Sequence, residues 1–285
     1  MKPYVDKDEI RELHERVLYP AVRVKTEKAG GSGTVIYSKV NPVNPFDYET
    51  FVLTNHHVVE GAISTKEAWD SVLKKQTKKE YMAPVSVELF DYVYQSTVDS
   101  SKSYKADVVA YDQAHDMAIV KLDSPRKVDS VADLIPRDKL REVRLFSHVW
   151  LCGCSLLHDP FASPGSITCL REIIDNKDYM MANAPSIFGN SGGSVYLAET
   201  KEFLGMPSRI TAMQLGFGMD IITFMGFFTH PKRLYEFLDE QEFKFIYDPT
   251  DTYKACLERR ERKKKQAVRE QLQDESDKGM PIPLD

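Results

Sequence analysis

Nowhere does the chain carry the roughly 18 consecutive apolar residues that a membrane-spanning helix needs, so it offers no transmembrane segment. The stretch from Met1 to Arg16 is charged throughout and lacks the apolar core of a secretory signal, which as written favours a cytoplasmic location. Cysteine is scarce, four in 285 residues. Cys152 and Cys154 lie two apart on a predicted strand, on one face, where a mutual disulfide is geometrically awkward. Cys169 and Cys256 have no evident partner, and reduced, mostly buried thiols are expected. His14, His148, His158 and His230 fall at no metal-ligand spacing, so neither a metal nor another cofactor is expected. Positive charge is not in excess either. Lys and Arg number 38 against 43 Asp and Glu, a net charge of −5, which argues against nucleic acid as the principal partner. What remains is ordinary for a soluble globular protein: 42% hydrophobic and 28% charged residues.

The most informative segment is Phe188-Gly189-Asn190-Ser191-Gly192-Gly193-Ser194. It sets one serine among glycines, whose amides can approach a reacting oxygen with no Cβ in the way. An oxyanion wants two such amides aimed at it; the candidates lie in Gly189, Asn190 and Ser191, with the Gly189 and Ser191 N–H groups as donors. Alone, Gly-Asn-Ser-Gly-Gly also fits a plain turn. Upstream, the apolar run Phe51-Val52-Leu53-Thr54-Asn55-His56-His57-Val58-Val59 carries two histidines, and His115-Asp116-Met117-Ala118-Ile119-Val120-Lys121-Leu122 opens with an aspartate. The order His, Asp, Ser is that of the chymotrypsin type. The separations, 59 residues from 57 to 116 and 75 from 116 to 191, leave room for several strands between these positions.

The chemistry suits the residue types. A serine hydroxyl needs a hydrogen-bonded base to take its proton, and imidazole titrates near neutrality. A carboxylate behind the ring fixes its tautomer and stabilises the imidazolium. Ser191 is therefore the candidate nucleophile, His57 the base and then the acid, and Asp116 the orienter. His56 competes for the base; on a strand the adjacent pair point to opposite faces, and a partly exposed polar neighbour is the other account of His56. His115 is a similar distractor beside Asp116.

Together these segments resemble HtrA-like (DegP-like) trypsin-fold serine proteases. Thr54-Asn55-His56-His57-Val58 is similar to the family's Thr-Asn-x-His-Val, and Asp116-Met117-Ala118 to its Asp-hydrophobic-Ala strand. Asn183-Ala184-Pro185-Ser186-Ile187-Phe188-Gly189-Asn190-Ser191-Gly192-Gly193 is similar to its Asp-Ala-Ala-Ile-Asn-x-Gly-Asn-Ser-Gly-Gly. Weaker similarities are Tyr19-Pro20-Ala21-Val22-Arg23-Val24, Gly31-Ser32-Gly33-Thr34-Val35-Ile36 and Trp150-Leu151-Cys152-Gly153-Cys154. The likeness covers about residues 15–240 and favours His57, which directly precedes Val58, as the base. It implies an all-β fold of two six-stranded antiparallel β-barrels. It also implies that Asn190, neutral where trypsin-like zymogens carry Asp, dispenses with N-terminal processing. Three segments would wall the pocket for the residue before the scissile bond: Pro185 and Ile187, then Met213, Gln214 and Gly216, then Gly226 and Phe228. They hold no acid for Lys or Arg, and a small or medium apolar side chain suits them. No PDZ-sized remainder follows, a departure from the family.

The chain divides in expectation into an N-terminal helical arm (1–18), a first barrel (19–135), a second barrel (136–245) and a charged helix and tail (246–285). Ile10, Leu13 and Val17 stand at helical spacing in the arm. Residues 64–79 read as a helical insertion, with Ser64 and Glu67 fitting a capping box; a lid and a solvated surface helix are both open readings. A short helix near 232–238 closes the second barrel. The C-terminal stretch holds Arg259, Arg260, Arg262, Lys263, Lys264 and Lys265 before the acidic run Asp274-Glu275-Ser276-Asp277. It reads as a solvated helix, a protein-docking helix or, third, a nucleic-acid tail, though it lacks interleaved aromatics. Residues 279–285 read as disordered. The expected partner is a protein or peptide substrate. A non-catalytic peptide-binding module of the same fold is one competing class; a protease dedicated to one partner docked by the C-terminal helix is another.

Overall fold

A computed structural model describes residues 6–42, 44–70 and 75–278. The chain divides into two compact units, one of Met1–Ser64 with Met82–Phe237, the other of Thr65–Tyr81 with Leu238–Asp285.

The first unit opens on α1 (Lys7–Leu13), which continues into a π-helical turn at His14–Leu18. Val17 is its buried side chain, while Ile10 of the expected apolar stripe is exposed. The first eight strands are β1 (Ala21–Lys25), β2 (Gly30–Val40), β3 (Tyr48–Thr54), β4 (Ile63–Asp70), β5 (Lys75–Met82), β6 (Val85–Val93), β7 (Thr97–Asp112) and β8 (Met117–Leu122). Six of them close a barrel in the order β1-β2-β3-β8-β7-β6. Alternation in β6 sends Val85, Val87 and Leu89 inward. Val24 paired with Val87, and Arg23 with Glu88, make the closing seam, where the two charges meet at 2.6 Å. The core is rich in β-branched residues, among them Val22, Val24, Val35, Val52, Val87 and Val120, which pack well on a pleated surface.

The remaining strands are β9 (His148–Gly153), β10 (Phe161–Ile174), β11 (Lys177–Ala182), β12 (Ser194–Leu197), β13 (Phe203–Gly205), β14 (Pro207–Leu215) and β15 (Gly218–Thr229). They form one seven-stranded sheet, β13-β12-β9-β10-β11-β15-β14, rather than the expected six-stranded barrel. The extra strand arises at Met206. The chain bends there, so β13 pairs with β12 while β14 turns away to pair with β15. The sheet's core gathers Ile135, Val149, Leu151, Ile167, Met180, Val195, Leu204 and Phe228.

Of the expected helical insertion, the described residues 64–70 and 75–79 are extended and not helical, and 71–74 lie outside the described residues. β4 and β5 pair as a two-stranded sheet, and the Lys66 ammonium lies 5.5 Å from the Tyr81 ring centroid. Cross-strand pairing of this kind outweighs the local capping signal. Helix α2 (His56–Val59) is a single turn between β3 and β4, α3 is Pro231–Glu240, and α4 is Tyr253–Lys278. Within the second unit the start of α4 is anchored. Arg259 bonds Glu242 at 2.7 Å and Asp251 at 2.6 Å, and Tyr253 stacks near Phe243 and Phe245. From residue 261 to 270 the helix is exposed throughout. The expectation for 279–285 lies outside the described residues.

Gly33 tests the barrel's packing. A Cβ there would meet Val52, Val24 and Val22 methyls at 2.6, 2.8 and 2.9 Å. Gly33→Ala is expected to cost about 1–3 kcal/mol through overpacking, read as a lower urea midpoint at unchanged m-value. An unchanged midpoint would contradict this packing.

Candidate active site

β3 delivers the histidine. Its seven residues, Tyr48–Thr54, end in buried positions, and the chain turns at Asn55 into the short helix α2. His56 and His57 therefore sit on a helical turn, not on a strand. His56 is buried, not partly exposed, and its ring lies 5.2 Å from Tyr111. The His57 side chain is 45% exposed and faces Asp116. Its Nδ1 lies 2.8 and 3.0 Å from the two Asp116 carboxylate oxygens. A carboxylate only accepts, so Nδ1 carries the proton and Nε2 is left as the acceptor.

Asp116 is held by more than the ring. The His57 backbone N–H donates to Oδ1 at 3.0 Å and the Ser208 hydroxyl to Oδ2 at 2.7 Å. The Asn55 amide donates to the Asp116 carbonyl at 2.6 Å. Asp116 adopts φ +57°, a left-handed conformation that aspartate tolerates better than most residues. Burial pushes its carboxyl up, but the His57 ring, the His57 backbone and Ser208 outweigh it and hold the group below the ordinary carboxylate range. His115 belongs to a different pair: its Nδ1 meets Asp112 at 2.8 Å, which also takes Arg233 at 2.7 Å.

The glycine-rich loop has its carbonyls tied inward. Phe188 O accepts from Leu156 N at 2.8 Å, Asn190 O from Gly193 N at 2.9 Å and Ser191 O from Ser32 N at 2.8 Å. Gly189 O accepts the Ser32 hydroxyl at 2.6 Å. In a trans peptide the N–H points opposite to the C=O. The Phe188 and Asn190 ties thus turn the N–H groups of Gly189 and Ser191 outward, and among the described residues neither donates to a protein acceptor. Gly189, at φ +91°, has no room for a side chain: a Cβ would lie 2.5 Å from Leu156 N.

Packing brings this loop against the histidine segment. A Cβ on Gly192 would meet Thr54 Oγ1 at 2.4 Å. One on Gly31 would touch both a Val58 methyl (2.8 Å) and the Ser191 carbonyl (2.9 Å). Among the described residues no hydrogen bond joins Ser191 Oγ to His57 Nε2; nucleophile and base are often looser before substrate binds.

The expected specificity positions separate into two groups. Gly226 lies against the oxyanion-side segment, since a Cβ there would come 2.6 Å from Ser186 Cβ. Ile187 is half-buried beside it. The others are corrected. Pro185 is exposed. Phe228 is 1% exposed and part of the sheet core. Met213, Gln214 and Gly216 lie toward the tip of the β14–β15 hairpin, where Gly216 has nothing within 4 Å of a Cβ. Ser208 marks the part of β14 that borders Asp116, and Met213 is five residues further along, about 16 Å of strand. The segment beside the site is therefore 207–210. Ser186 lies within the expected wall segment 185–187, whereas sequence reasoning missed Ser208, Ser32 and Ser155. The Gly31-Ser32-Gly33 motif was the one available signal, a buried hydroxyl between two close-packed glycines.

Among the described residues no group of three His, Cys, Asp or Glu could hold a metal. The four cysteines are free, and burial pushes the Cys154 thiol up to about 12.

The family described as a trypsin-like peptidase domain matches residues 31–206. No curated protein matches the chain in sequence. Among solved structures, that of Deg5 is similar at TM-score 0.55 and 16% identity, over 83% of this chain and 95% of that one. The HtrA-type protease AlgW, with tripeptide, is similar at TM-score 0.56 and 18% identity, over 83% of this chain. This chain spans 63% of the AlgW chain's length. At such identities the likeness is one of fold.

The Asp116 environment predicts a pH signature. Its lowered pKa stabilises the folded state above the unfolded value, near 4, and that contribution is lost as pH falls through the lower folded value. The thermal-midpoint gap between wild type and Asp116→Asn should be widest near neutrality and shrink in acid. A gap constant with pH would contradict the assignment.

Proposed function

The chain belongs to the trypsin-like peptidase family and is a serine endopeptidase, and from that premise we propose a mechanism that runs through an acyl-enzyme on Ser191. His57 Nε2 takes the proton as Ser191 Oγ bonds to the substrate's carbonyl carbon. The carbonyl oxygen, now an oxyanion, accepts from the Gly189 and Ser191 N–H groups. His57, positively charged, is stabilised by Asp116 and passes its proton to the leaving amine as the C–N bond breaks. Water then repeats the sequence, releasing the acid and restoring Ser191. The observation that carries this reading is the inward tying of the Phe188 and Asn190 carbonyls in a loop that packs against the segment holding the His57–Asp116 pair.

Substrate binds extended along the start of β14, which is an edge strand, adding a strand to the sheet. The side chain before the scissile bond meets Ser186, Ile187, Ile210 and Gly226. Ile210 pairs with Gly226, and Ser186 closes on Gly226 from the other side. These walls are uncharged and close together, so a small apolar side chain such as Ala or Val is preferred, and a medium one is accepted less well.

A fluorophosphonate probe is expected to label the wild type and not Ser191→Ala, and the variant should lose about four orders of magnitude in rate. Labelling of Ser191→Ala would contradict the nucleophile. A peptide library should show cleavage after small apolar residues; preference for Lys or Arg would contradict the pocket.

A further inference from the structure

Two hydroxyls outside the triad lace the glycine-rich loop to its neighbours. Ser32 is fully buried. Its hydroxyl donates to Gly189 O at 2.6 Å and accepts from Cys154 N at 2.7 Å. Its backbone N–H holds Ser191 O at 2.8 Å, and its carbonyl accepts the Thr54 hydroxyl at 2.8 Å. One residue of β2 thus ties the loop on both sides of Asn190 to the strand that delivers the histidine. Ser155 is also buried, at 1% exposure, and donates its hydroxyl to the Asn190 side-chain carbonyl. Asn190 is itself 2% exposed.

The residue after Ser155 makes this tie consequential. Leu156 N is the donor that turns the Phe188 carbonyl away and so exposes the Gly189 N–H. Leu156 and Leu157 both sit at positive φ, +51° and +61°, a conformation that persists only where surroundings impose it. Ser155 ties the 154–157 turn to Asn190, beside the bonds from Leu157 N to Cys154 O and from Cys154 N to the Ser32 hydroxyl. Without the Ser155 tie the turn can relax toward ordinary φ. The Phe188–Gly189 peptide is then free to rotate, putting a carbonyl where the oxyanion needs an N–H.

Resting on Ser191 as nucleophile, we propose that Ser155, with Ser32 behind it, is a positioning residue that keeps the oxyanion loop competent. A neutral Asn190 needs only a neutral partner, which Ser155 provides, so no newly cut, positively charged N-terminus has to enter the site. The loop is pre-set by hydroxyls already in the chain.

The test compares wild type, Ser191→Ala, Ser155→Ala, Ser155→Thr and Ser32→Ala in the full-length protein. Three readouts serve: kcat and KM on a peptide substrate, affinity for a peptide boronic acid, and mass of the N-terminus during turnover. Hydrolysis lost in Ser191→Ala secures the underlying reading; hydrolysis retained there overturns that reading and this one together. With the reading secured, Ser155→Ala is expected to lose about 10- to 100-fold in kcat, the scale of a misplaced catalytic group. KM should stay within about twofold, and boronate affinity should fall in proportion to kcat. Ser155→Thr, which keeps the hydroxyl, should recover most of the loss, and Ser32→Ala should behave as Ser155→Ala does. The wild type should be active with its N-terminal mass unchanged. Where Ser155→Ala does not fold, Ser155→Cys keeps the volume with a weaker donor and is read by the same ratio. A Ser155 variant at wild-type kcat, a kcat loss without a matching loss of boronate affinity, or activity that begins only after N-terminal trimming overturns the proposal while leaving Ser191 in place.

Discussion

The carbonyls of Phe188, Gly189, Asn190 and Ser191 each accept a hydrogen bond from within the protein, and the rest of the site depends on those four bonds. They decide which way the intervening N–H groups point. Free, the loop would present carbonyls and amides indifferently, and a glycine at φ +91° could be turned at little cost. Tied, it presents two donors and keeps its acceptors inside. Donors fixed before the reaction need not reorganise during it, which is where most of their stabilising effect originates.

The donors of those bonds come from distant parts of the chain, and that distribution explains the architecture. Ser32 belongs to the closed barrel and Leu156 to the turn after β9 of the seven-stranded sheet. The His57–Asp116 pair is built wholly from the barrel, at the end of β3 and the start of β8, while Ser191 precedes β12 of the sheet. Ser208, at the start of β14, crosses back to the Asp116 carboxylate. Barrel and sheet each supply part of the candidate site and part of the other's support, so loosening either reaches both the His57–Asp116 pair and the Gly189–Ser191 loop.

Legibility in the sequence followed the range of the interactions. His57, Asp116 and the Gly189–Ser191 loop stand in short segments whose neighbours along the chain carry the signal, and the structure sets His57 Nδ1 2.8 Å from the Asp116 carboxylate. Ser208 could not be read, because its partner lies 92 residues away and nothing beside it announces a function. The expected segment 213–216 lies six residues beyond 207–210, the part of β14 that borders Asp116, since the length of the β14–β15 hairpin is set by cross-strand register and not by local composition. The same limit explains β4 and β5. Ser64 and Glu67 satisfy a capping box on paper, but the pairing of β4 with β5 outweighs a signal worth a fraction of one turn. The seventh strand of the sheet turns on a bend at Met206 that hydrophobic periodicity does not register.

In the proposed mechanism the Gly189 and Ser191 amides are already aimed at one point beside Ser191 Oγ. A crystal structure of the protein with a peptide boronic acid measures this directly. Boron is expected bonded to Ser191 Oγ, with one boronate oxygen about 2.7–3.1 Å from both amide nitrogens and the Phe188 carbonyl still on Leu156 N. A boronate oxygen held elsewhere, or a Phe188 carbonyl that has left Leu156 to admit the ligand, would contradict it.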